Sequence, residues 1–256
     1  MSDLHPLIAL WCHPRSMSTA FERVMRERGD CECHHEPFMY DYYVHRAIRS
    51  MPHFDPDDSR CKSYDEICED LASNSQQRTV FFKDMSYYVV PRLFENPDFA
   101  LRITNLFLIR NPHRSIMSYH KLDPEVTVDE IGIESQLQHV TWLCKQTGEA
   151  PLVIQAEQIQ QNPAAVLNQV FSTCGLSPAD HVHQWQSNVP DQWLEVSGWH
   201  QDVINSQGIR PPRPEHQVDE EFRQYSSEHP HLQHYLERHL PAYLKLKALS
   251  ETQFQN

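Results

Sequence analysis

Residues 13–21, HPRSMSTAF, gather three hydroxyls and a guanidinium in the turn between an apolar run, LIALWC, and a helical pattern. Backbone N–H groups at the start of a helix that follows a strand form an anion cradle, and the helix dipole adds to it. Ser16, Ser18 and Thr19 bring hydroxyl donors to that cradle, and Arg15 brings a fixed fork of charged donors. The set suits a phosphate or a sulfate. A second basic group stands at Arg110, which closes the run NLFLIR, and Asn111 and Pro112 then open another helical pattern. On that helix Arg114, Ser118 and Lys121 share a face at steps of four and three. A basic residue at the carboxyl end of a buried strand lies where open α/β sheets bind ligands. Two such sites on one sheet point to a ligand with two separated anionic groups.

The same residues argue against another chemistry. A nucleoside-triphosphate loop needs its Gly-Lys-Ser/Thr and, on a second strand, an Asp for magnesium. The chain has no Gly-Lys-Ser/Thr, the candidate second strand ends in Arg110, and Asp84 in VFFKD follows a lysine and is a weak substitute. Metal-dependent phosphoryl transfer is therefore disfavoured, and no metal is expected. Cys31 and Cys33 beside His34 and His35 lack a second pair at zinc spacing, and they read as strand residues. His229, His231, His234 and His239, in the tail, read as solvated surface.

The elements that must position these groups follow from hydrophobic pattern. Residues 7–12, 79–83, 105–110 and 151–156 are mostly apolar without alternation, the mark of parallel strands covered on both faces. Between them lie helical segments, at 17–28 with Gly29 to end it and at 162–175 with Asn162 as cap and Pro163 at the first helical position. The alternation predicts an α/β fold of three layers, a central, mainly parallel sheet flanked by helices. Residues 53–66 read as a surface excursion, 208–216 as an ordered loop or lid, and 219–249 as one or two amphipathic helices.

The 256 residues suit one domain with a large core, and no stretch is apolar enough to span a bilayer. No amino-terminal signal is visible, seven scattered cysteines suit reduced thiols, and a cytoplasmic protein is the expectation. The net charge of −13 disfavours nucleic acid and anionic membranes as partners, so an anionic ligand needs a local cluster of donors. Oligomeric state is not legible.

These motifs carry a family resemblance. HPRSMSTAF resembles the 5'-phosphosulfate loop of cytosolic and carbohydrate sulfotransferases, and IRNPHRSIMSY resembles their 3'-phosphate motif, an Arg-Asn-Pro with a Ser at the same eight-residue offset. PLVIQAEQIQQNPAAVLNQVFSTCGLS is similar to the family's later strand and helix, so the likeness runs in order from residue 7 to about residue 177. It implies a P-loop-like fold and 3'-phosphoadenosine 5'-phosphosulfate (PAPS) as donor, leaving adenosine 3',5'-bisphosphate as product. The acceptor would be a hydroxyl or amine of a small molecule. Arg15, Ser16, Met17, Ser18, Thr19, Ala20, Arg110 and Ser118 would then hold the donor. The loop departs from the family at Met17, where Gly is frequent, and at Ala20, where many members carry an aromatic.

The family's common histidine base would fall near FFKDMSYY, which has none, whereas HEPF at 35–38 looks like the Glu-Pro turn of branches that use a carboxylate. That likeness assigns Glu36 as base, Arg15 as stabiliser of the leaving phosphate and Lys83 as a second cation, with Asp84 and His35 in reserve as bases. Tyr40, Tyr42, Tyr43, Tyr87 and Tyr88 are candidates for an acceptor pocket. Trp193, Trp199 and residues 198–212 either close over the ligands or pack in the core. A metal-dependent nucleotide kinase or hydrolase on a related fold, and a catalytically silent nucleotide-binding protein, remain open as alternatives.

Overall fold

Apolar runs without alternation need cover on both faces, and each of the four becomes a strand of one parallel sheet. The computed structural model describes residues 5–95, 97–185 and 189–254. Its strands are β1 (Leu7–Cys12), β2 (Glu32–His35), β3 (Val80–Met85), β4 (Thr104–Ile109) and β5 (Leu152–Gln155), in the spatial order β2-β3-β1-β4-β5. All four pairings are parallel. The chain leaves β1 toward β2 on one side and leaves β4 toward β5 on the other, so the sheet's switch point lies between β1 and β4. A crevice outside the carboxyl ends of those two strands is where such sheets take ligands.

The helices cover the sheet as the pattern predicts. After β1 comes α1 (Ser18–Arg28), ended by Gly29 at φ 72°, and α2 (Tyr64–Asn74) starts at a capping box between Ser63 and Glu66. Then follow α3 (Ser86–Glu95), α4 (Asp98–Arg102), α5 (Pro112–His120), α6 (Ile133–Thr147), α7 (Ala156–Gln161) and α8 (Pro163–Thr173). Asn111 caps α5 and Asn162 caps α8, each accepting a backbone N–H two or three residues on. The short α9 (Gln201–Ile204) precedes α10 (Glu215–Glu228) and α11 (His231–Gln253), and α11 packs across α6 and β5. Among the described residues no helix is long and apolar enough to cross a membrane.

Several boundaries differ from expectation for local reasons. The first helix begins at Ser18, because Met17 adopts a left-handed backbone at φ 78°. β3 runs through Asp84 and Met85, and β4 stops at Ile109, which leaves Arg110 in the turn above the sheet. The tail histidines are not uniformly solvated. His239 is buried, with Nε2 2.7 Å from the Val128 carbonyl and Nδ1 accepting the Glu134 N–H, and burial lowers its pKa against the opposing Val128 bond.

Two side chains fasten β1 to β4 at the crevice. The Gln136 amide, buried on α6, donates to the Trp11 and Leu108 carbonyls at 3.1 and 3.0 Å. The His13 ring holds Pro14 O and the Arg110 N–H, each at 3.1 Å. Gly132, which opens α6 at φ 77°, lets Tyr87 approach this floor, since a Cβ there would stand 2.9 Å from Tyr87 Cδ1 and 3.6 Å from His13 Cβ. Gly132→Ala is expected to cost about 2 kcal/mol, from strain and overpacking together. A urea titration should show a lower midpoint at unchanged slope; an unmoved midpoint would refute this account of Gly132.

Candidate active site

A cavity of about 280 Å³ opens at the switch point, and the predicted cradle forms its base. Pro14, Arg15, Met17, Ser18, Thr19 and Ala20 line it, whereas Ser16 lies fully buried beneath. Arg15 and Met17 both sit at positive φ, 63° and 78°, the conformation that lets successive N–H groups face one side of a turn. Arg15 spans the cavity: its Nε donates to Ser118 Oγ at 3.0 Å and its guanidinium to the Trp199 carbonyl at 2.6 Å. Asp202 stands 3.7 Å away, but its carboxylate is solvent-exposed and screened.

The Arg110 guanidinium donates to the Arg15 carbonyl at 3.0 Å, which joins the two predicted anion sites directly. Its Nε and the Ser16 hydroxyl are buried without a hydrogen-bond partner among the described residues. Burial, with Arg114 and Arg15 adding like charge, pulls the Arg110 pKa down to about 9 against the opposing Glu157. A cation so placed is stabilised by an anion. Arg114 lines the cavity beside it, as do Arg210 and Lys83, so a chain of charge −13 presents a locally basic crevice. Lys121 lies elsewhere, its ammonium 4.9 Å from the Tyr225 ring.

On the other side of the cradle, Glu36 follows the edge strand at φ 41° and forms a buried ion pair with Lys83. Burial works against the Lys83 charge, yet Glu36 and Glu22 hold its pKa above the ordinary lysine value. Both Glu36 and Lys83 line the cavity. Asp84 does not. Its carboxylate accepts the Phe38 and Met85 N–H groups at 2.6 and 2.9 Å, bracing the turn that presents Glu36, while burial and Glu36 push its pKa well above the usual range.

The predicted aromatic set divides. Tyr87 and Tyr88 line the cavity, together with Met51, Met85 and Tyr119, while Tyr40 bonds Glu195 and the Tyr43 hydroxyl meets Tyr87 and Glu130. Trp193 is core, its indole donating to Glu22 at 2.9 Å. Trp199 does both, forming cavity wall and holding Arg15 by its carbonyl. Residues 198–212 do reach the site, where His200, Asp202, Val203, Ser206, Ile209 and Arg210 close one side. Sequence reasoning missed His200 in particular, because no local spacing ties it to Thr19, 181 positions earlier.

Fold and site together describe an α/β protein with a basic crevice at the switch point of its sheet. The sulfotransferase-domain family matches residues 7–227, and the chain belongs to that family. The fold is similar to the sulfotransferase domain from the curacin biosynthetic pathway, with TM-score 0.54 at 16% identity over 89% of this chain and 98% of that one. It is also similar to the sulfotransferase domain from the Synechococcus PCC 7002 olefin synthase, with TM-score 0.50 at 15% identity over 88% of this chain and 97% of that one. Among curated proteins it is 26% identical, over 247 residues, to branched-chain-amino-acid aminotransferase-like protein 1 of Arabidopsis thaliana, covering 94% of this chain and 42% of that protein. The chain thus spans less than half the length of that relative.

Lys83→Met leaves the Glu36 carboxylate buried beside Asp84 without its cation. A loss of about 3 kcal/mol in unfolding free energy is expected, since one partner of a buried pair is removed. Chemical denaturation measures it, and a loss below about 1 kcal/mol, the range of exposed pairs, would mean that water already solvates Glu36.

Proposed function

We propose that this protein transfers a sulfuryl group from PAPS to a hydroxyl or amine of a small-molecule acceptor, without a metal. The observation that carries the reading is the contact between the two anion sites, with Arg110 half-buried and its Nε fully so, lacking a carboxylate partner in hydrogen-bond contact among the described residues, and bonded through NH1 to the Arg15 carbonyl. The residues present fit a ligand with two anionic groups, because the orphaned Ser16 Oγ and Arg110 Nε lie one under each site. When bound, the donor supplies an activated sulfuryl group whose leaving phosphate is already a stable anion.

In this reading the N–H groups and hydroxyls of Ser16, Met17, Ser18, Thr19 and Ala20, with Arg15, take the 5'-phosphosulfate. Arg110 and Ser118 take the 3'-phosphate, and Arg114 adds charge beside them. Glu36 removes the acceptor's proton. As it does so its hold on Lys83 weakens, and the ammonium becomes available to charge that builds on the leaving oxygen. Asp84 acts through the turn it braces. Met51, Met85, Tyr87, Tyr88 and Tyr119 form an apolar wall beside Glu36, which keeps water from competing with the acceptor. The names of the longer plant relatives do not transfer, since the chain spans less than half of them.

Calorimetry without magnesium should show binding of adenosine 3',5'-bisphosphate, and Arg110→Ala should weaken it about 100-fold, the size of a lost charge-assisted contact. In an acceptor screen read by mass spectrometry, Glu36→Gln should lower kcat about 100-fold or more with bisphosphate affinity kept. ATP binding that requires magnesium, with no bisphosphate binding, would sink the proposal.

A further inference from the structure

Behind the cradle a chain of buried polar groups leads to Thr19, and its other three members have no part in the transfer chemistry as described. Glu22 Oε2 on α1 lies 2.6 Å from His35 Nδ1 at the end of β2. His35 Nε2 lies 3.0 Å from His200 Nε2, and His200 Nδ1 lies 3.2 Å from Thr19 Oγ1 in the cradle. Relative exposures of 0% for Glu22, 2% for His35, 5% for His200 and 9% for Thr19 leave little room for solvent partners, so the hydrogens must be settled within the chain.

Counting donors fixes where those hydrogens are. Arg26 Nε and the Trp193 indole already donate to Glu22 Oε1, and against burial Arg26 and Lys83 help keep the group ionised, so Glu22 only accepts. His35 Nδ1 therefore carries a hydrogen. With both rings neutral, His35 Nε2 is bare and accepts from His200 Nε2, which leaves His200 Nδ1 bare. Thr19 then spends its hydroxyl hydrogen on that ring. With one more proton in the pair, His200 Nδ1 donates to Thr19 Oγ1 instead, and the hydroxyl hydrogen turns toward the cavity.

We propose that the His35–His200 pair is a proton-coupled positioning device, taking up one proton as the anion binds and thereby turning Thr19 into a donor to that anion. The inference rests on the reading of the loop as a phosphosulfate cradle. One ring N–H bond forms on binding, with a proton taken from solvent, and breaks on release, with that proton returned to solvent; no bond between heavy atoms changes. The groups facing the pair are Glu22 and Arg26 from α1, Glu36 at 3.9 Å from His35 Nε2, Lys83 from β3 and Arg15 from the cradle. Burial, His35 and Lys83 hold the His200 pKa well below the usual imidazole value. An anion beside Thr19 opposes that shift directly, because His200 itself lines the cavity, whereas His35 acts on the ligand through His200 and the Thr19 hydroxyl.

The test is calorimetry of adenosine 3',5'-bisphosphate at pH 8, where its phosphates are fully ionised, in two buffers of different ionisation enthalpy. Wild type should take up a proton, and its affinity should fall with rising pH by as much as about tenfold per unit, the linkage limit for one proton. His200→Gln should bind without that uptake and with a flat pH profile. Binding without uptake in wild type, or equal uptake in both proteins, overturns the device while leaving the cradle reading intact. No bisphosphate binding by wild type overturns both. Should the variant not fold, imidazole nitrogen-15 spectra of wild type decide: His200 Nδ1 should gain a hydrogen on adding the bisphosphate, and an unchanged pattern refutes the device.

Discussion

The His13 imidazole sets the spacing between the two halves of the site. It is fully buried, and burial outweighs its contacts and pulls its pKa down to about 3, so it stays neutral with one nitrogen donating to Pro14 O and the other accepting from the Arg110 backbone. A charged ring would have no bare nitrogen left to accept that second bond. The loop after β1 and the turn after β4 are thereby held as one rigid piece, and the Gln136 amide repeats the link one layer below. A ligand that spans both loops meets a span already fixed by these bonds, not by its own binding.

Around this piece the charges are sorted by what buries them. The surface is acidic, yet the cations at the crevice stand where two helices begin and where carboxylates are already committed. Glu36 is committed to Lys83, Asp84 to two backbone amides, and Glu22 to His35, Arg26 and the Trp193 indole. Among the described residues the exposed Asp202 alone is left uncommitted near Arg15, in water that screens it. The acids nearest the site therefore brace it more than they neutralise it.

Much of this was legible in the chain because it is local. The four apolar strands, the caps at Asn111 and Asn162, the stop at Gly29 and the basic residues at strand ends all depend on neighbours a few positions away. The strand β2 was only partly legible, since ECHH is a polar edge strand with alternating burial. Its cysteines read as strand residues, and the resemblance added the Glu-Pro turn that follows. His200 lies beyond such reasoning for another reason: its bonds to Thr19 and His35 join positions far apart in the chain, and only the packing of residues 191–204 on the cradle creates them. Lys121 failed in the opposite direction, because helical spacing put it beside Ser118 while the end of α5 turned it toward Tyr225.

The cradle reaches its shape without glycine. Arg15 and Met17 hold left-handed backbone that side chains disfavour, at φ 63° and 78°, and the surrounding packing enforces it. A glycine loop samples many shapes and is ordered by its ligand, whereas this loop has few alternatives to lose. The entropic cost of aiming its amides is met when the chain folds, and little of it remains for association. The same stiffness makes it a demanding gauge of shape. In the proposed reading, an anion that sits off the cradle finds a turn that cannot follow it.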